Sequence, residues 1–116
     1  MTALADRTCR PIPASAGRLS ADAVVGYLAE LGAPWQVGGD RLRREYKLAD
    51  FAAAVIAVQA IGALADAQDH HPDLAVSYGK VVVELWTHTV DGLSESDFIV
   101  AAKIDRVMSA PLDTST

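Results

Sequence analysis

The three histidines of this chain, His70, His71 and His88, all fall between positions 70 and 88. Imidazole titrates near neutral pH, so such a cluster points to proton transfer or to metal binding. Asp66 and Asp69 flank the histidine pair, and Asp97 follows His88. Pro72 disfavours helix at His71, and neighbouring side chains on an extended segment point to opposite sides. His70 and His71 are therefore expected to do different work. The plain alternative is a helix that ends at His70-His71, because histidine is favourable near a helix C-terminus. Metal binding lacks its usual marks. There is no helical His-x-x-x-His pair, adjacent histidines seldom chelate one ion, and Cys9 is the single cysteine. Neither a metal nor a cofactor is expected.

Three further residues each have two readings. Ser94-Glu95-Ser96-Asp97 has the form of a capping box, with an acid three residues after the cap. Asp97 can thus serve a helix end or a histidine. Asp66 stands one turn before His70, where it can orient an imidazole or sit in water. Trp86 is expected on the same face as His88, as a wall for a flat ring or as packing.

These residues must be positioned by a small set of elements. Ser20 can cap a helix carrying Val24, Tyr27, Leu28 and Leu31, which Gly32 and Pro34 end. Trp35 to Val37 reads as a short strand and Gly38-Gly39-Asp40 as a turn. Arg41 to Leu48 returns as a strand, with Leu42, Tyr46 and Leu48 on one face and Arg41, Arg43, Glu45 and Lys47 on the other. Asp50 caps a second helix whose stripe is Phe51, Val55, Val58, Ile61 and Ala65, fading near Gln68. Tyr78 to His88 reads as one long strand, with Val81, Val83 and Leu85 opposite Val82, Glu84, Trp86 and His88. Asp91-Gly92 is a turn, and Ser94 begins a third helix with Val100, Ala101, Ile104, Val107 and Met108 at helical spacing. Helices and strands in this order fit an α+β fold, an antiparallel sheet with helices on one face. Residues 1–17 are expected to be a loose arm, 18–110 a single domain and 111–116 a frayed tail.

At 116 residues and 51% apolar, the chain suits one domain with a sizeable core. A net charge of −5 does not suit the phosphate backbone of nucleic acid. No apolar run reads as a bilayer span, and the first residues lack the basic-then-apolar layout of a signal peptide. A cytoplasmic protein is expected, without membrane or direct nucleic-acid partners.

Asp66, His70-His71-Pro72, Tyr78, His88 and Asp97 stand in a register that resembles the pterin-4a-carbinolamine dehydratase family. The likeness runs from about Leu19 to Met108. It includes Gly17-Arg18-Leu19-Ser20, Asp50-Phe51, Thr87-His88 and the Gly92-Leu93-Ser94 entry to the last helix. The resemblance implies a four-stranded antiparallel sheet with three helices on one face, in dimers or tetramers. It implies dehydration of 4a-hydroxytetrahydropterin to quinonoid dihydropterin and water. That reaction helps recycle the pterin cofactor of aromatic amino acid hydroxylases, and vertebrate members also bind a homeodomain transcription factor.

By the same resemblance His70, His71 and His88 form the catalytic set. His70 and His88 exchange protons and His71 chiefly holds the pterin, the substrate. Asp66, Asp69, Trp86, Thr87 and Asp97 bind substrate or orient the histidines. Losing water from C4a requires a proton on the departing hydroxyl and removal of one from N5, and positioned imidazoles can do both. Many family members carry tryptophan two positions after His-His-Pro, where this chain has Leu74. Trp86 is expected to supply the missing aromatic wall. The rival reading is a non-catalytic pterin-binding or protein-interaction module of the same fold.

Overall fold

The computed structural model describes residues 3–32 and 34–109. The tail expected to fray, 111–116, lies outside the described residues. Helix α1 spans Ala21–Leu31, strands β1 Gln36–Gly38 and β2 Arg41–Lys47, and helix α2 Phe51–Gln68. Strands β3 Asp73–Ser77 and β4 Lys80–Leu85 follow, then helix α3 Glu95–Ser109. The four strands form one antiparallel sheet in the order β1-β2-β4-β3. This is the α+β architecture expected, with β4 at the centre between two partners.

Strand alternation builds the core. Leu42 pairs with Leu85 and Tyr46 with Val81, and all four are buried on the face the helices cover. The opposite face carries Arg43, Glu45 and Lys47, which are exposed. Phe98, Ile99, Val100, Ala101 and Ile104 of α3 pack against the sheet and are buried. Tyr27 fixes α1 to α3 by stacking on Phe98, with ring centroids 5.2 Å apart.

Helix α2 is rotated from its expected setting. Ala54, Ala57, Ile61 and Ala65 are buried, whereas Phe51 and Val55, expected in the stripe, are exposed. Ile61 and Ala65 lie inward as expected, but in the first turns Ala54 and Ala57 take the inner face, where alanine lets the helix backbone approach its neighbours closely. By length and mean hydropathy, 1.5 over 18 residues, α2 also qualifies as a bilayer-crossing helix, contrary to the reading of the sequence above. It contacts α3, β3 and β4, with Ala54, Ala57, Ile61 and Ala65 buried.

Two other expectations are corrected. The long strand from Tyr78 to His88 is shorter: Tyr78 and Gly79 form the β3–β4 turn, and β4 ends at Leu85. Beyond it Thr87 bridges to Gly92, and His88–Val90 make a 3-10 turn. Of the residues expected to form a loose arm, the described ones, 3–17, are tied to the fold. Leu4 is buried against α3, Lys103 Nζ donates to Ala5 O at 2.9 Å, and Arg106 pairs with Asp6 at 2.7 Å. A single apolar side chain has no periodicity to reveal it, which is why the segment reads as an arm.

One polar cluster bolts α3 to the sheet. Asp105 accepts from Trp35 Nε1 at 2.7 Å, from Arg44 and from the Tyr46 hydroxyl. Arg44 lies on the core-facing side of β2, where an unpaired guanidinium would be costly. Burial, and then the Asp105 carboxylate beside it, push the Tyr46 phenol far above its ordinary range. Asp105→Ala leaves three donors without their acceptor and should lower stability by about 2–4 kcal/mol. Urea unfolding should show the midpoint falling with an unchanged slope.

Candidate active site

The site begins where α2 ends. His70 N–H donates to Ala65 O and Asp69 N–H to Asp66 O, both at 3.2 Å, closing the helix in a Schellman arrangement. Asp69 takes the left-handed position usually given to glycine, with φ 50°. Asparagine and aspartate are the side chains that tolerate this best. The reversal sends His70 inward and His71 outward. His70 Nε2 lies 2.6 Å from Asp97 Oδ1, while His71 Nε2 lies 2.9 Å from Asp66 Oδ1 at the surface. The opposed directions expected for the pair are thus found.

Asp97 is fully buried. Its Oδ2 accepts from Ser94 N–H at 2.9 Å and from Thr87 Oγ1 at 2.8 Å. Ser94 Oγ in turn accepts from Ser96 N–H and shares a 2.7 Å hydrogen bond with Thr87. Both readings of Asp97 therefore hold at once. One carboxylate oxygen completes the capping box of α3, and the other fixes a histidine. With the carboxylate accepting at Nε2, the His70 ring keeps its proton on that nitrogen and leaves Nδ1 for proton transfer.

His88 reaches the site by another route. It opens the 3-10 turn that Asp91 closes in the left-handed region at φ 46°. Arg18 runs along this turn, its Nε donating to Val90 O at 3.2 Å and its guanidinium pairing with Asp40 at 2.9 Å. A Cβ at Gly92 would come within 2.6 Å of the Arg18 side chain, which would have to shift to admit it. Trp86 leans on His88 with centroids 4.6 Å apart, and the Arg41 guanidinium covers the indole at 4.1 Å.

These pieces enclose a cavity of about 450 Å³, within the ~300–1,000 Å³ of small-molecule sites. His70, His71, His88, Asp69, Trp86 and Thr87 line it, together with Gln68 and Thr89. Asp97 stands behind His70, and Asp66 is outside the lining, joined only through His71. Tyr78, which shares the motif register, is exposed at the hairpin tip. Leu74 packs partly buried against the core, and the aromatic ring of the lining is Trp86. Among the described residues, no three His, Cys, Asp or Glu side chains form a group that could hold a metal ion.

Sequence reasoning missed one whole wall. Cys9, Arg10, Pro11 and Ile12 line the cavity opposite the motif residues. They are held there by Cys9 N–H donating to Gln68 Oε1 at 2.9 Å and by Thr89 Oγ1 donating to Ile12 O at 2.6 Å. The prolines at 11 and 13 were a signal of stiffness rather than of disorder.

Comparison with known proteins accords with this geometry. The family model described as pterin 4 alpha carbinolamine dehydratase matches residues 17–107. The chain belongs to that family. A relative from Alkaliphilus metalliredigens, provisionally named a pterin-4-alpha-carbinolamine dehydratase, is 43% identical over 110 residues, covering 94% of this chain and 99% of its own. One from Rickettsia bellii with the same provisional name is 43% identical over 103 residues, covering 88% and 91%. A crystal structure from Brucella melitensis, described as a transcriptional coactivator/pterin dehydratase, superposes with a TM-score of 0.73 at 31% identity. It covers 78% of this chain and 98% of its own.

The lining position of Cys9 can be read directly. Burial pushes its thiol above the ordinary value, so the reactive thiolate is scarce near neutral pH. Iodoacetamide should label Cys9 more slowly than a free cysteine at pH 7.5, with the rate still climbing above pH 9. A bound 7,8-dihydropterin should slow it further. Intact-mass spectrometry measures all three.

Proposed function

We propose that the protein dehydrates 4a-hydroxytetrahydropterin to quinonoid dihydropterin by histidine acid–base catalysis. The observation that carries this is a cavity lined by both His70 and His88, with the first held through Asp97. In the reaction the C4a–O bond breaks as the N5 lone pair forms the C4a=N5 double bond. His70, with Nε2–H committed to Asp97, takes the N5 proton at Nδ1. His88, whose ring has no hydrogen-bond partner among the described residues, delivers a proton to the departing hydroxyl. Water leaves with it, so protons and electrons balance. His71, half exposed and paired with Asp66, holds the pterin edge, and Trp86 gives the flat ring a side to lie against.

A carbinolamine is already labile, so modest acceleration is enough. Each positioned proton transfer supplies about 10²–10⁴ in rate. Stopped-flow absorbance should show wild-type protein accelerating carbinolamine loss at neutral pH. His70→Ala and His88→Ala should each lose about 10²–10³ of that acceleration, and His71→Ala should act mainly through KM. Wild type no faster than buffer would exclude catalysis and leave a binding module, the reading that the coactivator description of the Brucella protein keeps in view.

We also propose that the active form is a cytoplasmic homo-oligomer assembled through the outer face of α2. Phe51, Val55 and Ile56 are exposed along that helix. Large apolar side chains in a row on one helix face are unfavourable in water. A second copy of the chain, as the family resemblance implies, would remove them from it. Sedimentation velocity should give a multiple of the 12.2 kDa chain mass, and the double substitution Phe51→Glu, Val55→Glu should reduce it to the monomer.

A further inference from the structure

We propose that the N-terminal strap forms a specificity subsite of this cavity, in which Arg10 seats an anionic substituent, a phosphate or carboxylate, on the pterin side chain. It rests on the cavity being the pterin site, and it concerns residues that lie before the stretch 17–107 matched by the family model.

The strap is a built wall. On one side of Arg10, Cys9 N–H is tied to Gln68 and its thiol donates to Ser96 O at 3.7 Å. On the other, Thr89 holds Ile12 O, and at Arg10 itself the carbonyl accepts from Ser96 Oγ at 3.5 Å. Pro11 and Pro13 restrict the backbone between and beyond these anchors. Arg10 is thereby placed on the cavity by its main chain, leaving the side chain to reach a ligand.

The charge pattern singles Arg10 out. Arg7, Arg18, Arg41, Arg43, Arg44 and Arg106 all pair with carboxylates of the protein. Arg10 lines the cavity, and among the described residues no carboxylate lies within ion-pair distance of it. A planar guanidinium carried by a wall residue and not paired with a carboxylate can meet a phosphate or carboxylate in bidentate fashion. The site's own acids stand elsewhere. Asp97 is occupied with His70, Asp66 with His71, and Asp69 lies with the histidines at the end of α2. An anionic group would be repelled from that side and drawn to the strap. The catalytic histidines then engage the ring, and a cavity of about 450 Å³ has room for a substituent beyond a bicyclic head group.

Calorimetric binding of 7,8-dihydroneopterin and of its 3′-phosphate tests this directly. Wild type should bind the phosphate ester about 10-fold more tightly or better, as for a charge-assisted bidentate contact. Arg10→Ala should abolish that preference while leaving the neutral compound's affinity within about twofold, and Arg10→Lys should keep part of it. Equal affinities in wild type, no binding of either compound, or a preference that survives Arg10→Ala would each overturn the subsite. Arg10-dependent preference in a protein that fails to accelerate carbinolamine loss would uphold the subsite and reject the dehydratase reading. Circular dichroism melts of Arg10→Ala should match wild type, because the strap is anchored through its main chain.

Discussion

Everything at the active site leads back to one buried carboxylate. Asp97 has no exposure to water, and an uncompensated charge there would be prohibitive. It is compensated from three elements. The first turn of α3 supplies the Ser94 N–H, the segment after β4 supplies Thr87, and the end of α2 supplies His70. The positive end of the α3 dipole adds to these. Removing a hydrogen-bond partner of such a charged group typically costs about 1.5–3 kcal/mol. The carboxylate that orients His70 therefore also locks three chain segments together, and the setting of that histidine comes with the fold.

The two cavity histidines assigned to acid–base work are supported in unlike ways. His70 is fixed at the ring, through Nε2, and little of it is exposed. His88 is fixed through its backbone turn and through the face of Trp86, leaving both ring nitrogens for a ligand. Arg18 and Arg41 brace that turn from the outside, through Val90, Asp91 and the indole. Two left-handed aspartates, Asp69 and Asp91, bound the histidine-bearing segments. Sparsely populated backbone of this kind persists where surrounding contacts determine it. A rigid ring beside a freer one would suit the proposed dehydration, in which one nitrogen meets N5 and another follows a departing oxygen.

Periodicity carried most of the architecture. Alternation in Leu42 to Tyr46 and in Val81 to Leu85 identified the core face of the sheet. Ser20, Asp50 and Ser94 marked three helix starts, and Ser20 and Asp50 accept from Ala23 N–H and Ala53 N–H as caps do. Periodicity failed where it could not discriminate. In α2 apolar residues surround the helix, so size rather than polarity decides which face packs, and the alanines win. Past Leu85 the alternation of letters continues, but Gly92 and the Thr87 bridge turn the chain back. Trp86 and His88 meet across that turn, not along a strand. The motif residues His70, His71 and His88 line one cavity, with Asp97 behind His70, because motif spacing encodes the distances between element ends. It carried no information about Arg10, whose neighbours in space are scattered from Gln68 to Ser96.

Helix α3 explains why an irregular segment can serve as a wall at all. Its inner face supplies the core through Phe98, Val100, Ala101 and Ile104. Its remaining surface holds the strap through Glu95 to Arg7, Ser96 to Cys9 and Arg10, Lys103 to Ala5 and Arg106 to Asp6. Exposed ion pairs of this type contribute little singly. Buried Leu4 supplies an apolar anchor at the far end, and the hydrogen bonds from Gln68 and Thr89 fix the near end at the cavity. The strap thus needs no secondary structure of its own, since its order is borrowed from the helix that carries Asp97. The setting of His70 and the cavity's outer wall depend on the same element, while the wall's side chains remain free to differ without disturbing the histidines.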